Sequence, residues 1–199
     1  MQHGVQVKRY RADNHPFKSR EFQKSLDSTR QSIMFSGVGA KHQNGVAERT
    51  IQTISTWARA MLLHSVLHWS DSANLELWPF ALAHAVYLWN HIPRKDIRKS
   101  PYKLFTKSVM PSVMYLQRQH VWGCPVYVLD PRLQDGKKIP KWDPRVRRGQ
   151  FLGFSAQHSS TIGLVLNHRT GTSEAEKRSF YNIYEFPYFL YMILEIHIY

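Results

Sequence analysis

Cysteine is nearly missing from this 199-residue chain, in which Cys124 stands alone. A single thiol closes no internal disulfide, there is no Cys-x-x-Cys pair for zinc, and the eleven histidines show no metal-ligand spacing with it. Such cysteine usage suits a reducing compartment, nucleus or cytoplasm. Long apolar runs are missing too. The cleanest, Phe189 to Leu194, is hemmed in by Pro187 and Glu195, far short of the about 18 apolar residues of a membrane helix, so no membrane partner is expected. The opening MQHGVQVKRY lacks the apolar stretch of a signal peptide, and secretion is not expected. Acidic residues are scarce, 14 against 27 basic, and the first twelve positions have none. Residues 181–199 lack Lys and Arg altogether, and their aromatic-rich composition reads as an out-of-frame or readthrough tail. There is no internal repeat and no low-complexity tract.

What is present is a formal charge of +13, spread along the chain. Residues 1–60 hold ten basic and four acidic side chains, 61–118 seven and three, and 119–180 ten and five. A charge distributed in this way suits a long surface facing a polyanion, although a basic protein with no nucleic-acid partner would have the same composition. The apolar share of 43% is enough for a core, and the length allows one or two domains.

Val5, Val7 and Tyr10 alternate with polar residues and predict a short strand that ends at Asp13. Asn14-His15-Pro16 turns the chain, and Ser19 suits the N-cap of a helix with Phe22 and Leu26 on one face. Gln31–Ser36 reads as a second strand and Gly37–Asn44 as a loop. A long helix follows Asn44, with Ala47, Ile51, Ile54, Ala58 and Met61 as its apolar stripe and Glu48 beside that stripe in the first turn. Another helix is predicted over Pro79–Asn90, its inner face formed by Phe80, Ala83, Val86, Tyr87 and Asn90, with Trp78 and Trp89 as packing residues. Residues 94–118 look like a basic connector. From about residue 120, VWGCPVYVLD, RRGQFLGFS and STIGLVLNHRTG form a β pattern of small-barrel scale, with a basic loop from Arg132 to Arg148 between the first two. Cys124, Trp122 and Trp142 are read as packing residues in preference to a reactive thiol or base-stacking rings.

Asp13 and Glu48 are the candidate chemical pair. Phosphodiester chemistry is served by two divalent ions about 3.5–4 Å apart, which carboxylates at a strand end and a helix start can hold. By spacing alone, a surface Asp in a turn and a dipole-favoured Glu in a first helical turn look the same. The local frames narrow the choice. YRADN and HQNGVAER, followed in order by LWPFALAHAVYLWNHIPRK, SPYKLF, VWGCPVYV, KKIPKWDPRVRRGQFLGFS and STIGLVLNHRTG, resemble the integrase region of copia-type long-terminal-repeat retrotransposon Pol polyproteins over residues 5–171.

The resemblance implies an α/β chain: part of an RNase H-like integrase core, then helices, then a small, mostly β, barrel-like domain. Its expected divisions are 1–65, 66–118, 119–180 and the tail 181–199. In the family an Asp-Asp-Glu triad binds Mg²⁺ or Mn²⁺, trims the 3′ ends of the element DNA and joins them to a target strand. Asp13 matches the second aspartate and Glu48 the glutamate, as catalytic and metal-binding residues. Lys41, Gln43, Asn44 and Arg49 flank the loop-to-helix joint and are candidate DNA contacts. So are Lys137, Lys138, Lys141, Arg145, Arg147 and Arg148 in the basic loop. Homo-multimers on DNA are a further implication.

The first aspartate, its strands and the preceding zinc-binding domain have no counterpart, His15-Pro16 replaces a glycine after Asp-Asn, Lys41 replaces a histidine, and no strand is recognisable after Gly171. The expectation is therefore a fragment that does not catalyse integration alone. The readings kept open are an active enzyme, a basic nucleic-acid-binding remnant without catalysis, and a product that does not fold stably because a sheet edge lies open.

Overall fold

The computed structural model describes residues 7–12, 19–35, 37, 45–72, 74–107, 116–117, 119–134, 136–155 and 162–176. Strand β1 (Arg9–Ala12) pairs in parallel with β2 (Ser32–Phe35), Arg9 opposite Ser32 and Ala12 opposite Phe35, through the crossover helix α1 (Arg20–Ser28). The Ser19 hydroxyl caps α1 by accepting from the Phe22 N–H at 3.2 Å, and Leu26 is its buried anchor. The Gln31 amide donates to the Val7 carbonyl at 2.8 Å and ties the second strand's start to the first's. These elements match the strand–helix–strand order expected from the sequence.

Helix α2 (Gly45–His68) runs 24 residues, about 36 Å, with no helix breaker inside it. It folds back through two short 3-10 turns onto α3 (Trp78–His91). Trp57 meets Trp89 edge-on, ring centroids 5.8 Å apart, which fixes the two helices as an antiparallel pair. Because α3 has only 14 residues, it ends near the level of Trp57 and covers the C-terminal part of α2. The buried face of α2 is therefore Trp57, Ala58, Met61 and Ser65, and the expected stripe fails at its N-terminal end: Ala47 is exposed and Ile51 is 64% exposed.

In α3 the expected period holds and the phase differs. The inner face is Ala81, His84, Ala85, Leu88 and His91, while Ala83 and Val86 are exposed, Phe80, Tyr87 and Asn90 are half-buried, and Trp78 is 57% exposed. Both faces have helical spacing; the one that is buried contains two histidines, which a sequence reading treats as polar. The expected connector contains a further helix, α4 (Pro101–Thr106), capped by the buried Ser100 hydroxyl accepting from the Lys103 N–H at 3.2 Å. Ser followed by Pro is a helix-start signal.

Strands β3 (Pro125–Leu129), β4 (Val146–Phe154), β5 (Gly163–Asn167) and β6 (Thr172–Glu176) form an antiparallel meander in that order, with the one-turn helix α5 (Pro131–Gln134) between β3 and β4. Two expectations are corrected. A strand does follow Gly171: the Asn167 carbonyl accepts from the Gly171 N–H at 2.8 Å, Gly171 takes φ +70°, and β6 pairs back onto β5. The sheet is also open among the described residues, with β3 and β6 as its edges, because four strands are too few to close a barrel.

A β-bulge between Phe151 and Gly153 lets residues from both sides of β4 point into cores. One core joins Trp57, Met61, Ala81, Leu88, Trp122 and Leu152. It runs across both places, 65/66 and 118/119, where the sequence reading set domain boundaries. A second gathers Cys124, Val126, Val128, Phe151 and Val165, with Trp69 and Phe154 packed against it. Trp122 and Cys124 are core residues, as read; burial pushes the Cys124 thiol up to about 12. The mixed helix and strand architecture matches the α/β expectation at that level. No helix among the described residues is long and apolar enough to cross a membrane.

Candidate nucleic-acid interface

The feature that stands out from the sheet is the excursion between β3 and β4. Leu129 and Val146 are the last ladder pair, and the Asp130 N–H donates to the Arg145 carbonyl at 2.9 Å, closing the base of the loop. The Asp130 carboxylate accepts three bonds from Arg132: its backbone N–H at 2.9 Å, Nε at 3.1 Å and Nη2 at 3.1 Å. The Arg132 side chain and then its backbone N–H hold the Asp130 carboxyl below the usual carboxylate range, and the same pairing raises Arg132. One helical turn follows, Gly136 takes φ +73°, and the Lys137 N–H returns to the Arg132 carbonyl at 2.9 Å. Pro140–Asp143 forms a turn, the Asp143 N–H donating to the Pro140 carbonyl at 3.1 Å.

On this ordered frame Lys137, Lys138, Lys141, Arg145 and Arg148 are exposed, while Arg147 is half-buried. Alternation along β4 sends Arg147 and Arg148 to opposite faces of the sheet. His168, in the neighbouring β5–β6 turn, is lowered by burial and then by the Arg148 charge, and Arg169 in the same turn is exposed.

The reading of Trp142 is corrected. It is 89% exposed, with the Lys141 ammonium 5.4 Å from its ring centroid. No large apolar residue lies next to it in Pro140-Lys141-Trp142-Asp143-Pro144; that absence of alternation was the available signal that it is not a core residue.

Of the other candidate site residues, the two that are described lie on α2. Glu48 and Arg49 are exposed in the first turn of α2, Glu48 about 13 Å of helix from Trp57, the first buried side chain of that helix. The Arg49 Nε donates to the Gly45 carbonyl at 3.3 Å. Asp13, Lys41, Gln43 and Asn44 lie outside the described residues. β1, the strand expected to lead to Asp13, ends at Ala12 among the described residues. Among the described residues no group of three or more His, Cys, Asp or Glu could hold a metal ion. The described donors do not make up a metal site around Glu48.

No family model matches the sequence. A search of solved structures finds a likeness to a chain of the simian T-cell lymphotropic virus intasome in complex with PP2A regulatory subunit B56 gamma, at 18% identity and a TM-score of 0.42. The likeness covers 90% of this chain, which spans 59% of that chain's length. At that TM-score it assigns neither fold nor activity.

Proposed function

We propose that this chain is an integrase-related, nucleic-acid-binding fragment of a copia-type retrotransposon Pol polyprotein, with DNA as its partner and the β3–β4 loop as its main contact surface. The observation that carries the reading is five exposed cations, Lys137, Lys138, Lys141 and Arg145 in the loop and Arg148 near the start of β4, with the base of the loop held by the Asp130–Arg132 pairing. Preordered cations spaced along a loop suit the phosphates of a backbone, and their binding releases counterions. The ordered sequence motifs supply the family part of the proposal, an RNase H-like core with Asp13 and Glu48 as its carboxylate pair for Mg²⁺ or Mn²⁺, acting as homo-multimers on DNA in the nucleus or cytoplasm. Lys41, Gln43, Asn44 and Arg49 are proposed as secondary DNA contacts. Asp13 and Glu48 are proposed as two of the ligands that a two-ion site needs.

Two measurements test this. Duplex DNA binding is titrated at several salt concentrations; affinity should fall steeply as salt rises, and binding that is absent or insensitive to salt refutes the nucleic-acid reading. A strand-transfer assay with Mg²⁺ and element-end DNA tests the carboxylate pair: product that Glu48→Gln abolishes supports its proposed role, and product that Glu48→Gln leaves unchanged refutes it.

A further inference from the structure

A fully solvated indole is rare among folded residues, because aromatic rings carry more buried area per side chain than any others. Trp142 is such a ring, and three features of its setting bear on what it is for. It sits in a turn braced by Pro140 and Pro144 and closed by the bond from the Asp143 N–H to the Pro140 carbonyl at 3.1 Å, so little backbone freedom remains to be lost on binding. Its neighbours are cations: Lys141 lies over the ring, and Lys138 and Arg145 are within roughly 15 Å along the chain. One acidic residue, Asp143, adjoins the ring in sequence and closes the turn through its N–H.

A flat exposed ring with one ammonium over it and further cations a few residues away along the chain fits a ligand that alternates flat apolar faces with negative charge. Single-stranded nucleic acid has that chemistry; a paired duplex hides its base faces. We infer that Trp142 is a stacking platform for an unpaired nucleobase, with Lys138, Lys141 and Arg145 holding the adjoining phosphates. The inference rests on the nucleic-acid reading above and makes it specific: the loop prefers unpaired ends or single strands to blunt duplex.

The test uses the full chain with a labelled thymidine oligonucleotide and a blunt duplex of equal length. Trp142→Ala should weaken oligonucleotide binding about tenfold to a hundredfold and duplex binding much less. Trp142→Phe, which keeps a stacking face, should restore most of the loss. The triple change of Lys137, Lys138 and Lys141 to Ala should weaken both ligands. If Trp142→Ala leaves oligonucleotide binding unchanged while the lysine variant weakens it, the stacking inference fails and the nucleic-acid reading stands. If neither variant changes either ligand, both fail. Vesicles of anionic phospholipid are the contrasting probe: partitioning that Trp142→Ala abolishes, with oligonucleotide binding intact, overturns the inference in favour of a membrane surface.

Discussion

The Trp122 indole N–H donates to the Leu152 carbonyl at 3.1 Å, across 30 positions of sequence and inside the main core. Leu152 is the residue that the β4 bulge leaves outside the ladder register, so the indole supplies a donor where the sheet's own pairing is interrupted. Replacing Trp122 with Phe removes that donor and leaves a buried carbonyl to be satisfied, at about 1–3 kcal/mol, with a further loss from the smaller ring. A urea melt of Trp122→Phe should show a clear drop in midpoint. The same change at the exposed Trp142 should leave the midpoint where it was; equal effects at the two sites would contradict the assignment of one to the core and the other to solvent.

Gly123 follows directly in the chain and packs against α2. A β-carbon there would lie 2.5 Å from the Ser65 Oγ and 2.8 Å from its Cβ, in a backbone conformation of φ +82°. Both the contact and the dihedral oppose a side chain. Gly123→Ala is expected to cost about 3 kcal/mol, combining backbone strain with overpacking. At Gly171, φ is +70° and a β-carbon would meet nothing within 4 Å. That position isolates the dihedral alone, so Gly171→Ala should cost about 1 kcal/mol. Thermal melts of the two variants side by side separate strain from contact; a Gly123→Ala loss no larger than that of Gly171→Ala would show that α2 yields.

His84 makes stability depend on acid. Its ring is buried beside Phe151, Phe154 and Gly153, and neither nitrogen has a hydrogen-bond partner among the described residues. Burial, and then the nearby His120, lower it to about 3. Well above pH 6.5 the ring is neutral whether the chain is folded or unfolded, and pH has no leverage through it. As pH falls from 6.5 towards 3, the unfolded chain binds a proton that the folded one refuses, so stability declines, by about 2 kcal/mol at pH 5. His64, His91, His120 and His168 are lowered too and act in the same direction. His84→Leu should be close to neutral at pH 7 and should flatten the decline between about pH 7 and 5, measured by urea unfolding at each pH. An unchanged slope in the variant would mean that His84 gains a proton without unfolding.

These residues also mark where the sequence was legible. Ser19 at a helix start, the short strands on either side of that helix, and the turn-bounded runs of β3, β4 and β5 rest on local chemistry, and local chemistry decided them. The faces of α2 and α3 did not follow from period alone, because which side of a helix is covered depends on the partner's length and phase: α3 is too short to cover Ile51, and it turns two histidines inward. β6, with the sequence TSEAE, has no apolar residue but alanine, and its pairing comes from the Asn167–Gly171 turn and an available edge of β5. As to the site, the loop cations could be read directly, since charge needs no partner to be recognised, whereas the exposure of Trp142 could be read only from the absence of apolar neighbours.

Local placement of charge, as opposed to net charge, is what the loop contributes, and the two can be separated. For duplex DNA each neutralised phosphate adds about 0.9 to the slope of log affinity against log salt. Removing Lys137, Lys138 and Lys141 together should therefore lower that slope by roughly 2–3 if all three make contacts. Lys138→Ala and Lys24→Ala remove the same charge from exposed positions, one in the loop and one on α1. Binding titrations at several salt concentrations should show a slope change of roughly 1 for Lys138→Ala and almost none for Lys24→Ala. Equal changes would mean that DNA is attracted by the whole +13 chain and not held by the loop.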